Sequence, residues 1–358
     1  MNKIEPLVYI LILNWNGWHD TIECLESLQQ LNYSNYFIVV VDNCSTNDSL
    51  QRIKDWAKGE QVPTSRFIVA TPETKPVYYD EYYYEANSNR FSKVSGAGCD
   101  LTEVSSNRRM IVIQTDTNLG FAGGNNVGLR YILAQSNYDY VWLLNNDTVV
   151  KPDSLEHLVN YMRNNQRTGI CGSTILYYDQ PDIVQALGGA TYNKLFGTTK
   201  RVGAKLEYSK LLTSDNVNHR MSCVIGASMF ASSQFLSTIG LMEEKYFLYF
   251  EELDWATRAK GIFDLGYAQE SIVYHKEGAS IGSHSDPKQV SLLSDYYSLR
   301  NRVVFTRKFY PFLLPCIYFS LFLSLINRIR RRDFAKALMV LKLIFGIKIK
   351  KIDGIEIK

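Results

Sequence analysis

The chain has 358 residues, 46% of them hydrophobic and 21% charged, enough for one large or two modest domains with a proper core, and global disorder is excluded. Its formal charge of +3 conceals a split: residues 300–358 carry fourteen Lys and Arg against three acids, and the rest carry 25 bases against 33 acids. A basic tail on an acidic body points to an anionic partner for the tail, either lipid or nucleic acid.

Residues 7–13 form a short apolar run that stops at Asn14-Trp15-Asn16-Gly17 with no small-residue cleavage site, so a first strand is expected rather than a signal peptide. Ile22, Leu25, Leu28 and Leu31 then recur at helical spacing. Residues 37–41 read as a second strand ending on Asp42, and the polar stretch from Asn43 to Ser49 as a turn with a Ser or Asp helix cap. Residues 65–109, with tyrosines clustered at 78–84 and a Ser/Gly/Asn-rich remainder, interrupt the alternation and read as a long, mobile insertion. A strand at 111–114, a helix at 126–133 and a strand at 140–144 follow, and the last delivers Asn145-Asn146-Asp147. Strand and helix signals in alternation predict a parallel sheet with crossover helices.

The second half is less regular. A small-residue strand is expected over 222–230, an acidic stretch runs through Glu251, Glu252 and Asp254, and a short strand at 272–275 ends on His275. The six cysteines, Cys24, Cys44, Cys99, Cys171, Cys223 and Cys316, form no C-x-x-C pair, which favours reduced buried thiols over a disulfide framework or zinc site. Residues 312–326 are an uncharged run of fifteen, shorter than the ~20 of a spanning helix. The cluster Arg328, Arg330, Arg331 and Arg332 follows, then an apolar segment at 334–347. Apolar surface beside clustered cations fits a segment lying in the lipid headgroup region, ahead of a helical hairpin packed on the core; its Ile, Leu and Phe density disfavours nucleic acid.

Asp42 and Asp147 both end buried-looking runs, and in open α/β sheets ligands bind at the carboxyl ends of strands. Two acids there point to a nucleotide-diphosphate site with a divalent cation, since hard cations prefer oxygen ligands. Gly120, Gly123 and Gly124 permit close backbone approach to a ribose or phosphate, and their G-x-x-G-G spacing departs from the dinucleotide fingerprint, so a nicotinamide enzyme is disfavoured. Each feature has a plainer explanation. Asn-Asn-Asp is common strand punctuation, Asp42 can open a turn, Asn126 can cap a helix, a strand-end His is often structural, and acids at a helix start complement its dipole.

Taken in order, Ile12-Leu13-Asn14-Trp15-Asn16, Val41-Asp42-Asn43-Cys44-Ser45-Thr46, Asn118 through Asn126, Leu143-Leu144-Asn145-Asn146-Asp147, Phe250-Glu251-Glu252-Leu253-Asp254 and His275 through Ser280 resemble family 2 inverting glycosyltransferases, particularly the rhamnosyltransferase-like branch. The resemblance implies a GT-A fold, α/β with a Rossmann-like, mostly parallel central sheet and a helical, basic and apolar C-terminal tail. Residues 1–290 would form the catalytic domain, with a nucleotide-sugar half at 1–150 and an acceptor half at 151–290, and 291–358 a membrane-associating region. It implies Asp147 and His275 as ligands of Mg²⁺ or Mn²⁺, with Asn145 standing where the family carries another carboxylate. By the same resemblance Asp42 accepts the N3–H of uracil or thymine, Asn14 and Trp15 bound the base pocket, and Asn118, Gly120, Asn126 and Asn146 line the donor site.

Glu252 takes the place of the family's usual Asp as the base that receives the acceptor proton, with Glu251 its main rival, and with Glu251 and Asp254 raising its pKa by like charge. An ion pair between Glu251 and Arg258 is the bland alternative. The implied reaction moves L-rhamnose from dTDP-rhamnose to a hydroxyl of a lipid-linked or cell-surface polysaccharide precursor, in the cytoplasm on the inner face of the cell membrane. A UDP-hexose-dependent transferase of the same fold is one alternative. A catalytically weakened glycan- or membrane-binding module, kept open by Asn145 and Glu252, is another, whereas a nucleotidyltransferase lacks its basic glycine-rich loop.

Overall fold

The computed structural model describes residues 5–70, 72–95, 108–135, 137–276, 290–352 and 355–357. Unbroken apolar runs form the first strands, β1 (Val8–Asn14) and β2 (Tyr36–Asp42), joined by α1 (Trp18–Leu28). Such runs, buried on both faces, are what central parallel strands require. Next come α2 (Ser49–Lys58), β3 (Tyr78–Glu85), β4 (Arg90–Ser95), β5 (Arg109–Thr115), α3 (Gly120–Leu133), β6 (Tyr140–Asn145), β7 (Thr148–Val150), α4 (Ser154–Asn164) and β8 (Thr168–Tyr177). The second half adds β9 (Val184–Leu187), β10 (Gly189–Asn193), β11 (Thr198–Arg201), α5 (Ser214–Asn218), β12 (Cys223–Val224), β13 (Ser228–Ser232), α6 (Ser233–Ile239), α7 (Glu251–Ala259) and β14 (Asp264–His275). Three helices follow, α8 (Leu292–Phe309), α9 (Leu314–Arg330) and α10 (Phe334–Ile344), then a two-stranded ribbon of β15 (Lys351–Ile352) and β16 (Ile355–Glu356).

The main sheet runs β4-β3-β5-β2-β1-β6-β13-β8-β14-β7, with β9 on β8. Strands β3, β5, β2, β1 and β6 are parallel, β13 is antiparallel to both neighbours, β8 and β14 are parallel, and β7 returns antiparallel. The chain builds outward from β1 through β2 and then crosses to β6 on its other side. Strand order therefore reverses between β1 and β6, and the crevice outside their carboxyl ends is the expected ligand position.

Alternation along the strands supplies two cores. Ile10, Ile12, Trp56, Trp142 and Leu158 pack on one face, and Leu11, Val41, Leu129, Phe235 and Trp255 on the other. Helix α3 lies close on β1: a Cβ at Gly128 would sit 2.2 Å from Cδ1 of Leu11. Glycine at 128 is thus a packing requirement.

The expected excursion at 65–109 is corrected in its centre. β3 pairs in parallel with β5 over the full register from Tyr78 opposite Arg109 to Tyr84 opposite Thr115, and β4 closes a hairpin at the sheet edge. The tyrosines are half-apolar strand residues one place in from the sheet edge, not loop residues. Residues 96–107 lie outside the described part. β14 is also longer than the expected short strand, with twelve residues ending on His275, and α3 begins at Gly120 rather than Asn126. Cys24, Cys171 and Cys223 are buried and Cys44 and Cys316 half-buried, none of these five in a disulfide; Cys99 lies outside the described residues.

Helix α8 shares cores with Phe247, Leu248, Phe250 and Leu253, burying Tyr297, Leu299 and Phe305. By contrast α9 and α10 leave large apolar side chains in the open, Phe319 (58% exposed), Phe322 (51%) and Phe334 (67%) among them, as do the flanking Phe312 and Phe345. The stretch Pro311–Arg330 is, by length and composition, long and apolar enough to cross a membrane, longer than the fifteen-residue run read from the sequence.

Candidate active site

The carboxyl ends of β1 and β2 are tied by side chains. Asn14 is fully buried; its Nδ2 donates to Oδ2 of Asp42 at 2.7 Å and its Oδ1 accepts from the Thr21 hydroxyl at 2.8 Å. The other Asp42 oxygen accepts the backbone N–H of Ser45 at 3.0 Å. Asp42 is also fully buried, so here it shapes the turn after β2 and shows no open edge to a ligand, which favours the turn-opening explanation. Asn16, in left-handed backbone at φ 55°, accepts the N–H of Thr46 at 2.8 Å, fixing the same turn from the β1 side. Asn146 donates to Thr21 Oγ1 at 3.0 Å and to the Gly17 carbonyl at 3.3 Å, joining the β6 end to this cluster. Trp15 is half-buried beside it.

Asp147 follows β6 and meets His275 at the end of β14. Nε2 of His275 stands 3.1 Å from Oδ1 of Asp147, yet that oxygen has no hydrogen-bond partner. The other ring nitrogen, Nδ1, lies 2.7 Å from Oε1 of Gln185. Gln185 Oε1 accepting from Nδ1–H orients the ring so that Nε2 faces the carboxylate. Burial works to raise the Asp147 carboxyl, but His275 and the more distant Lys276 outweigh it and hold it below the ordinary range. The Lys276 ammonium is itself held between Asp20 and Glu23, each at 2.5 Å, and these partners push its pKa up against the effect of burial. Among the described residues no group of three or more His, Cys, Asp or Glu gathers as a metal cage.

The glycine-rich stretch serves the fold more than a ligand. Gly120 has φ 71°, and a Cβ there would lie 2.4 Å from the Phe247 carbonyl oxygen, so its close backbone approach is to residue 247 and not to a ribose or phosphate. Asn118 accepts from Asn43 Nδ2 at 3.0 Å and from the Gly120 N–H at 2.8 Å. Asn126 is buried with its amide exchanging hydrogen bonds with the backbone of Met242 and donating to Glu244. It is neither a helix cap nor open to the crevice.

The acidic cluster opens α7, with Phe250 as its N-cap in left-handed backbone. Asp254 is fully buried and saturated: Tyr246 donates at 3.0 Å, Arg258 at 2.7 Å and Lys308 at 2.7 Å. It is a structural anchor rather than a reacting carboxylate, and Arg258 pairs with it rather than with Glu251. Glu251 and Glu252 each keep an oxygen, Oε2, without a hydrogen-bond partner. Burial raises Glu251 well above the usual glutamate range, helped by the neighbouring charge of Glu252, and burial raises Glu252 too. Asp254 is not the cause of these shifts.

Glu252 borders a cavity of about 560 Å³ that reaches Tyr177 on one side and Arg201, Lys205 and Ser298 on the other. Tyr177 is the register partner of His275, so the cavity and the imidazole lie at the same, carboxyl end of β8 and β14. A larger hollow of about 910 Å³ opens at the opposite sheet end, by Thr168 and Asp264 where β8 and β14 begin. Volume alone would favour that hollow, but the convergent orphan carboxylates and the imidazole all lie at the other end. Gln185, Asn43, Asn16 and Lys276 support the site without having been expected there. For Gln185 a signal exists, since it is a lone polar residue inside the apolar run Ile183-Val184-Gln185-Ala186-Leu187.

Residues 9–73 and 100–214 match the family described as "Glycosyl transferase family 2". The low-salt glycan biosynthesis hexosyltransferase Agl10 of Haloferax volcanii is 23% identical over 278 residues, which cover 74% of this chain and 82% of that one. Among solved structures, mannosyltransferase PcManGT from Pyrobaculum calidifontis in complex with GDP-Man and Mn²⁺ superposes with TM-score 0.50 at 11% identity, over 96% of this chain and 88% of that one. GalNAc-T7 with UDP, GalNAc and Mn²⁺ superposes with TM-score 0.51 at 14% identity, over 84% of this chain and 51% of that one. These likenesses bear on the fold, which is GT-A-like.

Proposed function

The chain belongs to glycosyl transferase family 2, and from that premise we propose that it is an inverting hexosyltransferase of glycan biosynthesis, with Glu252 as the base. The observation that carries this reading is that Asp147 and His275 stand at the same sheet end as the cavity bordered by Glu252, with Tyr177 of that cavity opposite His275 in register. An acceptor hydroxyl in that cavity gives its proton to a Glu252 oxygen as its own oxygen bonds to C1 of the donor sugar. The C1–O bond to the diphosphate breaks with its electron pair leaving on the phosphate oxygen, and C1 inverts in one displacement. Glu252 is favoured over Glu251 because it borders the cavity, whereas Glu251 is 2% exposed.

Asp147 and His275 fit a divalent cation, Mg²⁺ or Mn²⁺: a buried carboxylate oxygen without a hydrogen-bond partner lies beside an imidazole nitrogen whose opposite nitrogen is held by Gln185. When bound, such a cation neutralises charge growing on the leaving diphosphate. Asp147 and His275 would hold such a cation from the protein side. Base recognition falls to the turns after β1 and β2, around Asn16 and Trp15, which Asp42 holds in shape through Asn14 and Ser45.

The donor we favour is dTDP-L-rhamnose, on the motif resemblance to the rhamnosyltransferase-like branch, and the acceptor a lipid-linked or cell-surface glycan precursor. A UDP-hexose is the second donor candidate. The exposed apolar residues of α9 and α10 beside Arg330, Arg331 and Arg332 support attachment to an anionic membrane surface, with the catalytic body extending through α8 to about residue 310. Incubation with dTDP-rhamnose, UDP-glucose, UDP-galactose and GDP-mannose, each with Mn²⁺ or Mg²⁺, tests the donor. Release of nucleoside diphosphate from dTDP-rhamnose ahead of the others is expected. Turnover of GDP-mannose alone would overturn the base and donor assignment, and release from none would overturn the enzyme reading.

A further inference from the structure

Helix α7 starts from a loop that few sequences adopt willingly. Phe247, Tyr249 and Phe250 have φ of 62°, 67° and 78°, the left-handed region that side chains with a Cβ avoid. Phe250 caps α7 without any side-chain hydrogen bond, and Glu251 and Glu252 are the first two residues of that helix. The direction in which both glutamates project is therefore set by the loop backbone.

The loop's carbonyls can be accounted for one by one. Phe247 O accepts from Phe121 N at 2.6 Å and Phe250 O from Asp254 N at 2.8 Å. The other three, of Tyr246, Leu248 and Tyr249, accept from the single side-chain amide of Asn301, at 2.9, 2.8 and 2.9 Å, and Tyr246 O accepts the Leu248 N–H as well, at 2.7 Å. That amide has two hydrogens for three acceptors, so its hydrogens are shared and its place is tightly constrained. Its oxygen accepts from Arg300 at 2.7 Å, which fixes the amide's orientation, and the same guanidinium donates to the Lys245 carbonyl at 2.9 Å. Asn301 is fully buried in α8, 49 positions beyond Glu252 in the sequence.

We infer that Asn301 is a positioning residue: it holds loop 246–250 in its left-handed form and so aims Glu252 into the acceptor cavity, with Arg300 orienting its amide. This inference rests on the reading of Glu252 as the base. A buried asparagine that only stabilised the fold would lower the melting temperature and leave turnover of the folded fraction alone. A positioning residue changes turnover while the donor end of the site, built by other elements, stays intact.

The test compares the full-length parent, Asn301→Ala and Arg300→Met with whichever donor the panel identifies, at temperatures equally far below each protein's unfolding midpoint. Arg300 is half-buried, so Arg300→Met keeps the test open should Asn301→Ala not fold. Asn301→Ala is expected to lose roughly a hundredfold in kcat with donor KM unchanged, the loss that a misplacement of about 1 Å brings. Arg300→Met is expected to lose less, in kcat again. Hydrogen–deuterium exchange, which needs no donor, is expected to quicken in peptides spanning 246–259 and to stay unchanged at the ends of β1, β2 and β6. Parental kcat in both variants, a donor KM that rises in step with the lost activity, or unchanged exchange over 246–259 would overturn the inference. Absence of turnover in the parent itself would instead fault the proposed function.

Discussion

Tyr177 and His275 are register partners on the adjacent parallel strands β8 and β14. Neighbouring strands lie about 4.8 Å apart, so the tyrosine that borders the Glu252 cavity stands next to the residue that faces Asp147. One strand pair thus joins the two chemical ends of the site, although Asp147 and Glu252 are 105 positions apart in the chain.

The support behind His275 is open to measurement. Gln185 holds Nδ1 at 2.7 Å without touching Asp147 in any hydrogen bond. Outer partners of this kind change metal affinity by about 10- to 100-fold. Gln185→Ala is expected to weaken Mn²⁺ binding by that range in an electron paramagnetic resonance titration with nucleoside diphosphate present, and Asp147→Ala to abolish it. Parental Mn²⁺ affinity in both variants would remove the metal from the account.

Glu251 makes a stability claim with a definite sign. Burial, then the charge of Glu252, raises its folded pKa well above the usual value. The folded state therefore holds a proton that the unfolded state gives up at about pH 4.3. Its contribution is present below that pH and is lost as pH rises through the raised folded pKa. Glu251→Gln is expected to be more stable than the parent in urea at about pH 8, with the gap closing at about pH 4. A gap that widens on acidification contradicts the shift. The raised pKa of Glu252 likewise places the acid limb of kcat above the ordinary glutamate range.

Asp254 is expected to matter for folding before chemistry. Its buried carboxylate meets Arg258 and Lys308 at 2.7 Å each, and breaking a buried pair from one side costs about 3–5 kcal/mol. Asp254→Ala should lower the unfolding free energy by the lower end of that range, because Lys308 is 37% and Arg258 25% exposed and water softens the loss. A change below about 1 kcal/mol would show that the network contributes little.

The strands that carry the site are legible because their apolar runs end abruptly on polar residues: Val41 then Asp42, Leu144 then Asn145, Tyr274 then His275. Burial on both faces demands such runs, so β1, β2 and β6 announce themselves. β3 does not, because a strand of tyrosines and acids next to the sheet edge carries neither a clean alternation nor an apolar run. The acidic trio was legible as a cluster but not by role. Asp254 and Glu252 are two residues apart, and only the tertiary partners Tyr246 and Lys308 separate an anchor from a base. Gly120 shows the same limit, since the group that it approaches, the Phe247 carbonyl, is 127 positions away.

The tail is tested by where it is cut. Truncation at residue 300 would remove Asn301 and Lys308 and so disturb α7, whereas truncation at 310 keeps both and removes α9, α10 and the terminal ribbon, whose Leu321, Val340 and Ile352 share a core with Phe247 and Tyr297. The 1–310 protein is expected to stay folded and to lose flotation with anionic liposomes, and the paired change Phe312→Ser with Phe345→Ser to weaken flotation of the full chain. High salt is expected to weaken flotation further by screening the arginine cluster. Equal flotation of truncated and full-length protein contradicts membrane attachment through α9 and α10.

The most direct test of the central claim is the turnover of Glu252→Gln, measured beside its binding of nucleoside diphosphate with Mn²⁺. The side chain keeps its size and loses only its capacity to take a proton. Binding equal to the parent's with transfer reduced by about 10²- to 10⁴-fold is the expected result. Transfer at the parental rate would contradict the assignment of the base, and with it the chemistry proposed for this cleft.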